Sequence, residues 1–206
     1  MNKKDEFIAL NIGCLEYKSK QDLIENLYLK AISDTYNRID KHIGIENDIR
    51  DRFISDFYHV SPFLKELIQT NILYVNWERW VFKNEKDLGR TDLSFAISGF
   101  EFIIECKRLK NVSQKYIDEG LTRFINGDYS SEESYAGMIG FITEGDPGYT
   151  YEQMKEKCKT ESYINSSFIT EPLIGFKYYF KTTHERKKMP IVNIYHLFLE
   201  FNKIKN

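Results

Sequence analysis

From Gln21 to about Lys41, apolar residues recur at helical spacing in two neighbouring stripes: Leu23, Leu27, Ala31 and Ile24, Tyr28, Ile32. That period predicts a helix. A second helix is predicted from about Ile45 to Tyr58, with Ile45, Ile49, Phe53 and Phe57 on one stripe. Ser61-Pro62 has the form of an N-cap followed by proline at the first helical position, opening a short helix to about Gln69. From Ile72 to Phe82 the residues turn aromatic and β-branched, as in a strand, and Thr91 to Lys107 has the pattern of a β-hairpin turning at Ser98-Gly99. Gln114 to Asn126 is again helical, and Ala136 to Ile142 is a short apolar strand. Asp146-Pro147-Gly148 is read as a turn before a charged helix from Tyr149 to about Lys159. Two late strands, Phe176 to Thr182 and Ile191 to Leu199, flank the basic connection HERKKMP. The order implies an α/β fold, a mixed sheet with helices on both sides.

At 206 residues, with no repeats, low-complexity tracts or linker-like stretches, the chain is expected to be one domain, 1–206. Within it we distinguish a helical N-terminal extension (1–44), a central segment (45–142) and a C-terminal completion of the sheet (143–206). The net charge of -2 excludes a globally basic nucleic-acid binder. Any contact with DNA or RNA must come from local patches, from a metal that neutralises phosphate, or from a partner. Cys14, Cys106 and Cys158 are an odd, widely spaced set without a CxxC pair, which argues against a disulfide scaffold or a structural zinc site. No apolar run has the length of a membrane span, so the expectation is a soluble, cytoplasmic protein without membrane association.

The chemistry concentrates in GRTDLSFAISGFEFIIECKRLK, Gly89 to Lys110. With a two-residue loop at Ser98-Gly99, Ile97 pairs with Phe100, Phe95 with Phe102 and Leu93 with Ile104. In that register Asp92 stands opposite Glu105. Side chains alternate along strands, so Asp92, Ser94, Ala96, Ile103, Glu105 and Lys107 share one face. Leu93, Phe95, Ile97, Phe100, Phe102, Ile104 and Cys106 form the other, wholly apolar face. Opposed carboxylates repel one another. A divalent cation relieves that repulsion, and hard Mg²⁺ favours one or two carboxylates completed by water and phosphate oxygens. The blander reading makes Glu105 and Lys107 solvated residues of an edge strand, but it leaves the apolar reverse face and the mutual register unexplained.

At these residues the chain resembles the PD-(D/E)XK nuclease superfamily, the restriction-endonuclease-like fold. That family's pattern is an acid opening one strand, a hydrophobic hairpin, and (D/E)-x-K on the next. Here these are Asp92 in GRTDLSF and Glu105-Cys106-Lys107 in FIIECKR, with Thr91 in place of the family's proline. The family also places a glutamate on the helix before the first core strand. Glu46 in IENDIRDRF fills that role, with Asp48 as the alternative. The similarity covers about Ile45 to Ile142, which would then be the catalytic core. The resemblance implies hydrolysis of phosphodiester bonds with Mg²⁺, or Mn²⁺ as a substitute. Asp92, Glu105 and the Cys106 backbone carbonyl would hold the ion, Lys107 would act on the attacking water, and Glu46 would complete the set. The helix after ECK often carries a residue facing the site in this family, and Gln114, Lys115 and Arg123 are the candidates.

The wording of that helix is similar to nucleases of bacterial restriction and phage-defence systems. The leading expectation is therefore a DNA endonuclease effector, with DNA favoured over RNA, targeting supplied by a partner protein of a defence complex, and a homodimer as a further candidate partner. The alternatives are a catalytically silent nucleic-acid-binding or assembly subunit, and an RNA-cleaving toxin-like nuclease. Arg108, Lys110 and Lys115 form a basic cluster suited to a phosphate backbone. His184, Arg186, Lys187 and Lys188 form a second in a surface loop, and Arg186 and Lys187 with Arg123 complete the candidate nucleic-acid contacts. Glu46 and Arg50 could equally be a helix-surface ion pair at i, i+4. His42, His59 and His196 lack the spacing of a zinc or histidine-based site, and His196 is expected to pack inside a strand. Trp77 and Trp80, at odd spacing, should face opposite sides with at least one in the core.

Overall fold

A computed structural model describes residues 3–82, 88–129, 131–160, 166–169 and 173–202. Helix α1 spans Lys3–Cys14, and a long helix α2 runs as Lys20–Leu23, a π-helical stretch Ile24–Leu29, and Lys30–Arg38. Helices α3 (Glu46–His59) and α4 (Pro62–Gln69) follow. Then come strands β1 (Tyr74–Phe82), β2 (Leu88–Ile97) and β3 (Phe100–Leu109). Helix α5 is again interrupted, as Gln114–Tyr116, a π-helical Ile117–Leu121 and Thr122–Asn126. Strand β4 (Tyr135–Ile142), helix α6 (Pro147–Thr160) and strands β5 (Ser166–Ile169), β6 (Tyr178–His184) and β7 (Val192–Glu200) complete the chain.

The strands form one mixed sheet in the order β1-β2-β3-β4-β7-β6-β5. The β1/β2, β2/β3, β5/β6 and β6/β7 pairs are antiparallel, whereas β4 lies parallel to both β3 and β7. The fold is thus α/β, as the element order implied. The sequence YAGMIGFI explains the place of β4: a nearly continuous apolar strand can be buried on both faces, as a central parallel strand must be. Two cores result. One joins α1–α4 to the Leu93, Phe95, Phe102, Ile104 and Cys106 face of the hairpin, and the other joins α5 and α6 to Ile103, Met138 and Phe180. Leu23, Ile24, Tyr28 and Ile32 are fully enclosed, so the helices of segment 1–44 lie on the sheet and share its core.

Several expectations change. Asp146-Pro147-Gly148 is the start of α6 rather than a separate turn: Pro147 is its first residue, and Asp146 Oδ1 accepts a hydrogen bond from the Tyr149 amide at 2.7 Å. Proline costs little there, because the amide it lacks would be unpaired in any case. Ser61 precedes α4 as expected, but its side chain makes no capping bond. Ile45, placed on the apolar stripe of α3, is the exposed residue before that helix. Neither tryptophan is in the core: Trp77 is 46% and Trp80 64% exposed, because β1 is an edge strand. Helix α1 lies in the expected helical extension 1–44 without a stripe of its own having marked it, and strand β5 had no counterpart in the sequence pattern.

The HERKKMP connection is also different from a free basic loop. His184 ends β6 and is buried, with Nε2 2.7 Å from Thr182 Oγ1. The Arg186 guanidinium is drawn inside, donating to the main-chain carbonyls of Pro190, Phe124 and Glu133. A guanidinium committed to three carbonyls is a strut, not a phosphate contact, so that expectation is corrected. Lys187 and Lys188 remain exposed. His196 is packed as expected, fully buried between Tyr116 Oη and Thr182 Oγ1, each at 2.9 Å.

Candidate active site

The hairpin forms in the expected register, with Ile97 opposite Phe100, Phe95 opposite Phe102 and Leu93 opposite Ile104. Gly99 takes a φ of +83° in the turn, a conformation that glycine adopts without strain. The ladder then stops at Leu93 and Ile104, so Asp92 and Glu105, expected opposite each other, are not a ladder pair. Beyond that point β2 and β3 fork, and the fork shapes the site.

A fork leaves β3 main-chain donors without a strand to receive them, and buried amides need partners. Two carboxylates supply them. Asp92 Oδ2 accepts from the Cys106 amide at 2.8 Å, and Glu46 Oε2 accepts from the Arg108 amide at 2.7 Å. Amide and carbonyl of one strand residue point to the same neighbour, so the Cys106 carbonyl is directed at the fork as well. Glu46 is the first residue of α3 and half-buried, while Asp48 is exposed; of the two helix acids, it is Glu46 that reaches β3. Arg50 does not pair with Glu46. It bonds Asp51 at 2.9 Å and Glu78 at 3.2 Å.

Glu105 lies at the centre, only 1% exposed. Its Oε1 accepts from Lys107 Nζ at 2.6 Å and from Arg123 at 2.9 Å. Its Oε2 is buried and has no hydrogen-bond partner among the described residues. Arg123 thus faces the site from α5, whereas Gln114 is exposed and bonds Asp118, and Lys115 is exposed. Arg108 and Lys110 both engage Glu144, at 3.9 and 2.8 Å, so the expected basic cluster is partly neutralised from within the chain.

The pattern of charges follows from this crowding. Burial pushes Glu105 up to about 7; the Asp92 charge adds to the push, and Lys107 and Arg123 oppose it. Burial also raises Glu46, against the pull of Lys107 and the Arg108 amide. For Lys107, burial favours the neutral amine, but Glu105, Asp92 and Glu46 outweigh it and hold its pKa above the ordinary lysine value. Lys107 is therefore a cation here. Burial raises the Cys106 thiol far out of the reactive range, which leaves this cysteine a core residue with a useful carbonyl.

Sequence reasoning missed two contributors. Tyr129 is buried; its hydroxyl donates to the Arg90 carbonyl at 2.7 Å and accepts from Arg123 at 3.0 Å, tying α5 to β2 beside Asp92. Glu78 has a left-handed backbone (φ +51°) in the middle of β1, in the gap of the ladder across from Asp92, and bridges Arg50 and Arg90. Strain of this kind costs on the order of 1–3 kcal/mol and tends to sit at functional places. No family model, curated protein or solved structure matches the chain.

Proposed function

We propose that the fork between β2 and β3 is the active site of a divalent-metal-dependent nuclease. The observation that carries this reading is the partnerless, buried Oε2 of Glu105, in a carboxylate placed among Asp92, Lys107 and Arg123. A buried polar atom without a partner costs about 1–3 kcal/mol, more when charged, and calls for an explanation. A cation at Oε2 would provide one without displacing Lys107 or Arg123, which both use Oε1. Among the described residues, no three acidic, cysteine or histidine side chains form a metal cage of their own. The donor set instead fits an ion held by Asp92, Glu105 and the Cys106 carbonyl and completed by water and substrate, the habit of Mg²⁺ and of Mn²⁺ in its place. From α3 to β4 the succession is ααβββαβ, and the likeness to restriction-endonuclease-like nucleases rests on the acids of α3, β2 and β3 within it.

When bound, the ion would polarise a phosphoryl oxygen and lower the pKa of a coordinated water. The remaining work falls to the chain's own groups. Lys107, fixed by Glu105, is suited as a cation to stabilise charge developing on the phosphate oxygens. Proton abstraction does not suit it in this electrostatic setting. Arg123, held by Tyr129, adds a second positive group, and Glu46 anchors the Arg108 amide so that β3 stays in place. Desolvation by α5 strengthens each of these interactions.

Incubating the protein with plasmid, linear DNA and RNA, in Mg²⁺ or EDTA, tests the proposal and separates DNA from RNA. Cleavage dependent on Mg²⁺ and reduced about 100-fold or more by Lys107→Ala is the expected result. Absence of cleavage on all three, or wild-type rates from Lys107→Ala, would remove the proposal.

A further inference from the structure

Exposed aromatics on a sheet edge are a liability, since edges recruit other chains and large apolar groups favour aggregation. Strand β1 is such an edge, and it presents Tyr74, Trp77 and Trp80 to solvent. The two tryptophans have different settings. Trp77 pairs with Leu93, on the apolar side, and rests edge-on against Tyr58 with ring centroids 5.8 Å apart. Trp80 pairs with Arg90 and is the more exposed, at 64%.

Arg90 is two residues before Asp92 on β2, hence on the face that carries the site acids. Trp80, opposite Arg90, shares that face. One strand spacing and two residues separate Trp80 from Asp92, roughly 8 Å between their Cα atoms. That is within reach of the base next to a phosphate held at Asp92. The Arg90 side chain is 47% exposed and pairs with Glu78 at 3.6 Å, so a phosphate would share its charge with that carboxylate; its carbonyl is pinned by Tyr129, so the platform is rigid relative to the fork. The net charge of -2 gives little general attraction for a duplex backbone, whereas stacking supplies affinity that does not depend on sequence.

We propose that Trp80, with Arg90 beside it, is a stacking platform for an unpaired base, and that the substrate is single-stranded or splayed open next to the phosphate that is cut. This rests on the nuclease reading for the position of the phosphate. Bases inside a duplex have both faces covered by their neighbours; away from a duplex end, only an unpaired base can lie on the indole.

The chain has two tryptophans, so Trp77→Phe leaves Trp80 as the sole indole reporter. In EDTA, where binding is separated from cutting, this protein is titrated with oligothymidylate, oligouridylate and a blunt duplex. Quenching of Trp80 by a single strand, weak response to the duplex, and an affinity, read from the anisotropy of labelled strands, about fivefold or more lower in Trp80→Ala but kept in Trp80→Phe are expected. Unchanged thermal melting of Trp80→Ala shows that the loss is not one of folding. Absence of quenching by either single strand, or wild-type affinity in Trp80→Ala, overturns the proposal. The two readings fail separately: single-strand binding through Trp80 without Mg²⁺-dependent cleavage removes the nuclease and keeps the platform, whereas cleavage with single-strand affinity unchanged in Trp80→Ala removes only the platform.

Discussion

Glu105 illustrates how burying a single carboxyl ties stability to pH. Its folded pKa, about 7, stands above the ordinary value of 4.5. The acid form is favoured in the native state, so the stability linked to its protonation is complete below about pH 4.5 and is lost as the pH rises through 7. Glu105→Gln removes this titration. The variant is expected to be more stable than wild type above pH 7 in metal-free buffer, on the order of 2–3 kcal/mol, with the gap closing toward pH 4.5. Urea melts across that range check it; a gap independent of pH would contradict the burial argument. Asp92, Glu105 and Lys107 were legible as neighbours because they sit in one hairpin, but the fork that takes Asp92 off the ladder with Glu105 was not, since it depends on α3 supplying Glu46 to β3. Glu46 was legible only as an acid opening a helix, since its partner is an amide 62 residues away. Tyr129 was illegible: nothing local marks a tyrosine whose partners are a carbonyl on β2 and an arginine on α5.

At the level of elements, the fork and α5 have to fit each other. The π-helical stretch of α5 places Gly120 directly over the site. A Cβ there would stand 2.5 Å from Met138 Cε and 3.8 Å from Glu105 Cγ. Gly120→Val is expected to cost about 1–3 kcal/mol of stability by overpacking, and to weaken any cleavage by lifting Arg123 from Glu105. Denaturant midpoints and rates measure the two effects, and unchanged values in both would refute the close approach. Strand and helix positions were readable from period alone. The π-helical turns, the exposure of both tryptophans and the inward turn of Arg186 were not, because each depends on which element lies alongside. Arg186→Ala removes three bonds to main-chain carbonyls, those to Phe124 and Glu133 buried, and is expected to lose about 1–3 kcal/mol in thermal or chemical melts, with phosphate affinity unchanged. Full stability in that variant would show that the strut is dispensable.

For the whole molecule, β2 and β3 part beyond Leu93 and Ile104, and Asp92, Glu105 and Lys107 gather at that opening. α3 brings Glu46 from one side of the sheet and α5 brings Arg123 from the other, so the site exists only when both cores are formed. The described residues contain no helix long and apolar enough to cross a membrane. The most direct measurement is a calorimetric titration of Mn²⁺ into the metal-free protein and into Glu105→Gln, both at pH 8. Wild type is expected to bind the ion, and the folded variant, lacking the charged Oε2, to lose that binding. Equal binding by the two proteins, or none by wild type, would contradict a metal site at the fork.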